Sequence, residues 1–208
     1  MSIPEGLPKD KLLPDKIKNK LYYLLQTTKN LLEKNKITYF AEGGTLLGAI
    51  RHKEIVPWDD DIDIGILDPD DKIESVLDKL PKDLKYVPIF FGYKVFFRRG
   101  GKKLYKRGHL QNYTYPALDI FTREIVNKRL VYKTEKSREI WTDKPKTDIY
   151  FPLKTYRFGP LKIKGANKGE KYLDQLFGKK PDWRTTGVIR FNHSTERWLK
   201  TPIVFKLN

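Results

Sequence analysis

The chain has 208 residues, enough for one ordinary domain with a real hydrophobic core. Its 39% hydrophobic and 13% aromatic content describes a folded protein and excludes a disordered tail, while 42 Lys and Arg against 26 Asp and Glu give a formal charge of +16. The absence of Cys excludes disulfides and thiolate metal sites, and His52, His109 and His193 are too scattered along the chain for a zinc pattern.

No stretch approaches the roughly 20 apolar residues that cross a bilayer. Residues 1–6 lack the basic, apolar and small-residue regions of a secretory signal, so a cytoplasmic setting is expected. The basic excess favours polyanionic partners, but it consists mostly of single lysines, which a solvated surface explains equally well. A single domain over 1–208 is expected, with 1–13 as an N-terminal arm.

In chain order, Leu21, Leu24, Leu25, Leu31 and Leu32 recur at helical spacing after Pro14-Asp15, predicting a helix that stops near Asn35-Lys36. Ile37-Thr38-Tyr39-Phe40 reads as a strand. Gly43-Gly44 breaks it, and Thr45 to Ile50 opens a short helix. Asp61-Ile62-Asp63-Ile64-Gly65-Ile66 alternates strictly, so on a strand the isoleucines share one face and Asp61 and Asp63 the other. By that parity Asp59 is an outer-ligand candidate and Asp60 faces away.

Asp68-Pro69-Asp70-Asp71 reads as a helix start, with Ile73, Val76, Leu77 and Leu80 as its buried stripe. Residues 84–107 read as two strands around Gly100-Gly101. Ala117 to Phe121 is a short apolar strand with Asp119 in its middle. Residues 122–148 carry no clear pattern. Phe151 to Ile163 predicts a hairpin at Gly159-Pro160, followed by a helix capped by Asn167 and closed by Gly178.

Four acids within Asp59 to Asp63 repel one another, and burying even part of that charge costs several kcal/mol per unpaired ion. Mg²⁺ or Mn²⁺ relieves it, because such ions take hard carboxylate oxygens and keep open positions for phosphate. Gly43, Gly44 and Thr45, between a strand and a helix, fit a loop whose backbone approaches phosphate closely. Asp119, inside an apolar strand, needs a partner, and a neighbouring strand would bring it to Asp61 and Asp63.

The run Glu42-Gly43-Gly44-Thr45-Leu46-Leu47-Gly48-Ala49-Ile50-Arg51-His52-Lys53, then Val56-Pro57-Trp58-Asp59-Asp60-Asp61-Ile62-Asp63-Ile64-Gly65, closely resembles the LicD/fukutin family. Leu118-Asp119-Ile120-Phe121, Phe151-Pro152-Leu153 and Tyr172 to Gly178 resemble its later segments in the right order. The resemblance implies an α/β (α+β) fold of the polymerase-beta-like nucleotidyltransferase type, a mixed sheet flanked by helices. It implies Mg²⁺ or Mn²⁺ on the catalytic carboxylates Asp61, Asp63 and Asp119, and Gly43 and Gly44 on a phosphate loop. It also implies transfer of phosphocholine or a polyol phosphate from a CDP-linked donor to a glycan or glycoconjugate acceptor.

Arg51 and His52 are candidate phosphate contacts, and Asp119 by position is a candidate acceptor for the hydroxyl proton. Two other readings stand beside this one. The same triad would serve a nucleotidyltransferase acting on a sugar, protein or RNA. A non-enzymatic basic module for nucleic acid or glycan would account for the charge but not for the three acids; nucleic acid is not the expected partner.

Overall fold

The structure, a computed structural model, describes residues 6–106, 109–178 and 180–207. Helix α1 (Asp15–Lys34) buries Leu21, Leu24, Leu25, Thr28 and Leu32, a stripe at spacings of three and four. Each such leucine contributes about 1.5–3 kcal/mol relative to leaving it in water. The helix ends where the Asn35 side chain donates to the Leu31 carbonyl at 2.8 Å and Lys36 turns left-handed at φ 58°.

Strand β1 (Thr38–Ala41) leads into α2 (Gly43–Leu47), whose coil widens over Gly48–His52. Strand β2 (Ile62–Leu67) then runs antiparallel to β1, after which comes a short helix α3 (Ile73–Leu77). A hairpin of β3 (Leu84–Ile89) and β4 (Gly92–Phe97) precedes a second one of β5 (Lys102–Lys106) and β6 (His109–Tyr115). Strand β7 (Ala117–Val126) inserts parallel to β2 and antiparallel to β4, and β8 (Arg129–Tyr132) returns along its far end. These six strands, β1, β2, β7, β4, β3 and β8, form one mixed sheet flanked by helices, the expected fold class.

Helices α4 (Glu135–Ile140) and α5 (Thr147–Tyr150), the hairpin of β9 (Lys154–Phe158) and β10 (Leu161–Gly165), and α6 (Gly169–Phe177) follow. A last hairpin, β11 (Thr186–Asn192) with β12 (Arg197–Lys206), completes the described chain. Among its described residues no helix is long and apolar enough to cross a membrane.

The isoleucines of β2 behave as the alternation requires: Ile62, Ile64 and Ile66 are buried in one cluster with Leu118, Ile120 and the leucines of α1. On the other parity, Gly65 lies under the Phe40 ring and the Glu42 carboxylate, where a Cβ would collide with both. Glu42 belongs to a buried ion network. Arg123 of β7, only 2% exposed, sits 3.3 Å from Glu42, 3.2 Å from Asp143 and 3.6 Å from the Tyr132 ring centre.

Several local expectations are corrected. The helix after Asp68 is only five residues long, because the Asp68 carboxylate accepts from the Ile73 amide at 2.8 Å and closes a loop over Pro69 to Lys72 instead of capping a first turn. Residues 84–106 hold three strands, since the chain reverses at Phe90-Phe91; Gly92 takes φ 143° there, with the Ile120 carbonyl where a Cβ would sit. Asn167 does not cap α6; Lys168 holds that position without a side-chain bond. Residues 1–5 of the expected arm lie outside the described residues. Of the rest, Leu7 is buried beside Trp58 and Phe205, and the Leu13 amide donates to Pro57 at 2.7 Å.

Candidate active site

The parallel pairing of β2 with β7 sets Asp63 directly beside Asp119, and Asp61 lies just before β2 begins. Oxygens of Asp61, Asp63 and Asp119 all fall within 4.8 Å of one another. The Asp63 amide donates to the Thr45 hydroxyl at 2.8 Å, which fixes the head of β2 against α2. The chain therefore brings two distant acidic segments into one cage by strand register alone.

Crowding shows in the proton affinities. Asp63 is raised well above the usual carboxylate range, first by burial and then by Asp61, Asp119 and Asp59. Asp59 is raised likewise, by burial and then by Asp61 and Asp60. Asp60 is pushed up to about 6 by burial, against the pull of His193. Asp119 is raised by burial despite Lys94, whose Nζ reaches both its oxygens at 2.6 and 2.7 Å. Burial opposes the Lys94 charge, but Asp119 outweighs it and holds the ammonium above its ordinary value.

The donor chemistry fits a hard divalent cation: three carboxylates, oxygen only, mutually repelling and close enough to share one ion. A second grouping, Asp59, Asp60 and His193, also falls within 4.8 Å, and His193 Nε2 lies 3.1 Å from Asp61 Oδ2. Parity fails at Asp60 because residues 59–61 precede the strand. Asp60 turns inward, lining the site's cavities together with Tyr115.

Beside the cage opens a cavity of about 360 Å³. Its walls include Trp58, Trp183 and Phe191, with Arg51 and Arg190 as cations and Gly44, Asp59, Asp60 and His193 on the side of the acids. Arg51 lines it, but its guanidinium is partly committed: it donates to the Trp183 carbonyl, to Thr186 O at 3.2 Å and to His52 Nε2 at 2.8 Å. Burial pushes Arg51 down to about 10, against Asp59.

The remaining expected contacts are revised. His52 does not line the cavity; it accepts from Arg51, meets Trp58 edge-on at 5.5 Å, and burial with Arg51 pushes it down to about 4. Thr45 is buried and positions Asp63 instead of facing a substrate. The two glycines make room for carboxylates: a Cβ on Gly43, at φ 47°, would lie 3.1 Å from Asp63, and one on Gly44 would overlap Asp59. Gly44 still lines the cavity. Lys94 and His193 join the site without a sequence motif to announce them. A lysine in an apolar strand was the available clue for the first, and nothing local marks the second.

A mixed sheet with an acid cage at the junction of two parallel strands is the framework of a nucleotidyltransferase-type domain. The LicD/FKTN/FKRP, nucleotidyltransferase domain family matches residues 36–168, and the chain belongs to that family. An uncharacterized protein of Rickettsia prowazekii is 33% identical over 185 residues, covering 84% of this chain and 59% of that one. The lipopolysaccharide cholinephosphotransferase LicD of Haemophilus influenzae is 65% identical over 34 residues, 16% of this chain and 13% of that one. The mouse ribitol 5-phosphate transferase FKRP is 56% identical over 36 residues, 17% and 7% respectively. The chain spans between half and three fifths of the length of the Rickettsia relatives it matches.

Proposed function

We propose that the chain is a transferase that moves a phospho-alcohol group, phosphocholine or a polyol phosphate, from a CDP-activated donor to a glycan hydroxyl. The observation that carries this is the convergence of Asp61, Asp63 and Asp119 beside a cavity with both aromatic walls and arginines. Family membership supports the reaction class, and the two short matches, to a cholinephosphate and a ribitol-phosphate transferase, support the head groups.

In this reading Asp61, Asp63 and Asp119 hold one Mg²⁺ or Mn²⁺. When bound, such an ion supplies Lewis-acid stabilisation of charge on phosphate oxygens. Arg190 and Arg51 attract the donor's phosphates to the cavity, and the half-buried Phe191 offers its ring to the base, while Trp58 and Trp183 pack as buried walls behind it. Lys94 donates to both oxygens of Asp119 and partly offsets the burial that raises its proton affinity, so in this reading Asp119 serves as an ion ligand and not as the acceptor of the hydroxyl proton.

The test is incubation with CDP-choline, CDP-ribitol, CDP-glycerol, CTP and ATP in Mn²⁺. CMP release from a CDP-alcohol, abolished by EDTA, supports the proposal. Pyrophosphate release from CTP or ATP would move the chain to the nucleotidyltransferases proper. Failure of every donor would overturn both readings.

A further inference from the structure

A groove of about 610 Å³ lies between the β5–β6 and β11–β12 hairpins. Lys102, Lys103, Arg197 and Lys200 line it, with no carboxylate among the described residues of its wall. Trp198 stands 74% exposed there and Tyr105 57% exposed, large rings left in water. The two hairpins are tied, because Lys102 Nζ donates to the Ser194 carbonyl at 2.7 Å.

The groove leads inward. It shares Lys102, Asn192, Ser194 and Leu199 with an inner cleft of about 330 Å³ that reaches Asp60. A line of rings follows the same path: Trp198 meets Phe191 at 5.1 Å, Phe191 meets His193 at 4.7 Å, and His193 touches Asp61 at 3.1 Å. Trp58, Asp60, Ile189 and Phe191 line both this cleft and the aromatic cavity, so the two routes meet at Asp60, next in the chain to Asp61 of the cage.

We propose that this groove is the acceptor site and that its occupant is an oligosaccharide carrying phosphate groups; the inference rests on the transferase reading above. A pyranose ring presents an apolar C–H face that lies flat on an exposed indole or phenol, and anionic substituents pair with the lysines. The charge gradient selects the class. The outer groove carries cations alone, whereas the inner cleft sets Asp10 and Asp60 against Lys11 and Lys102 and leads toward Asp61, so the occupant is neutral at its reacting hydroxyl and anionic farther out. A single-stranded nucleic acid also stacks on aromatics beside cations, but its charge at every nucleotide would be carried into Asp60 and Asp61.

Binding is measured in EDTA with a phosphorylated mannopentaose, its phosphatase-treated form and a short oligothymidylate, on the protein and on Trp198→Ala and Lys103→Glu/Lys200→Glu. Phosphorylated glycan should bind best, and each variant should weaken it about tenfold or more with Tm unchanged. In the CMP assay both variants should raise the acceptor KM by a similar factor while leaving acceptor-free CMP release intact. Wild-type binding by Trp198→Ala, tighter binding of oligothymidylate, or a variant that merely dissociates a dimer in light scattering would overturn the proposal. If no donor releases CMP, the transferase reading fails alone: glycan binding lost in Trp198→Ala would still establish the groove, and no glycan binding would sink it too.

Discussion

Lys94 and Asp119 face each other in register across β4 and β7, and the lysine's ammonium bridges both oxygens of the carboxylate at 2.6 and 2.7 Å. Their side chains are 11% and 9% exposed. The pair lowers the net charge that the triad presents and leaves a deficit that one divalent ion can meet. It also gives the metal-free chain an internal counter-ion.

Lys94→Met should therefore cost about 3–5 kcal/mol, since it strands Asp119 beside two other acids. That corresponds to a Tm loss of roughly 6–20 °C in EDTA for a chain of this size. Mn²⁺ should recover most of the loss. Differential scanning fluorimetry with and without Mn²⁺ decides it, and an unchanged Tm in EDTA would show that the pair contributes nothing.

Asp61→Asn and Asp63→Asn should each lower CMP release by at least about a hundredfold. Their folds should survive, and Asp63→Asn should melt no lower than the parent in EDTA because it removes repulsion from Asp61 and Asp119. Turnover assays beside circular dichroism separate this from misfolding. Residual activity near the parental level in both variants would remove the triad from the mechanism.

How much of this was legible in the chain follows from which forces act locally. The alternation of Asp61, Asp63 and the isoleucines of β2 is a property of the strand itself, and so was readable. The leucine stripe of α1 was equally plain. The residues alone make Asp119 an acid in need of a partner; the family resemblance sets it beside Asp61 and Asp63, and the register that does so, β7 parallel to β2, is a long-range choice. His193 reaches Asp61 across more than a hundred residues through the β11–β12 hairpin, and no spacing rule encodes that contact. Asp60 departs from the strand-parity expectation because β2 begins only at Ile62 and alternation holds only within it.

Stability of the metal-free chain should fall as pH rises. Asp59, Asp60, Asp63 and Asp119 all keep protons above the usual carboxylate range, Asp60 up to about 6, and Glu42 is pushed up to about 7 by burial. Between the unfolded carboxylate values and these raised ones the folded chain binds more protons than the unfolded chain, so raising pH favours unfolding. His52 works the other way up to about pH 6.5, because burial and Arg51 keep it neutral down to about 4, but it is one group against five. Tm in EDTA should decline from about pH 5 to about pH 7.5, and saturating Mn²⁺ should flatten the profile. A Tm that climbs through this range in EDTA would contradict the crowding of the acids.

Glu42, whose amide donates to the Asp63 carbonyl, is held by Arg123 at the head of α2, and the network should break asymmetrically. Arg123→Leu leaves Glu42 and Asp143 without their cation in the interior, a loss of about 3–5 kcal/mol. Glu42→Gln leaves Arg123 with Asp143, the Leu130 carbonyl and the Tyr132 ring, and since Glu42 already tends to hold its proton near neutrality, that change should cost only about 1–2 kcal/mol. The double variant should lose less than the two single losses added together, because the partner that Arg123→Leu strands is no longer charged. Urea unfolding of the four proteins at pH 7.5 measures the coupling. Additive losses would mean that Glu42 and Arg123 are neighbours in space without being partners in energy.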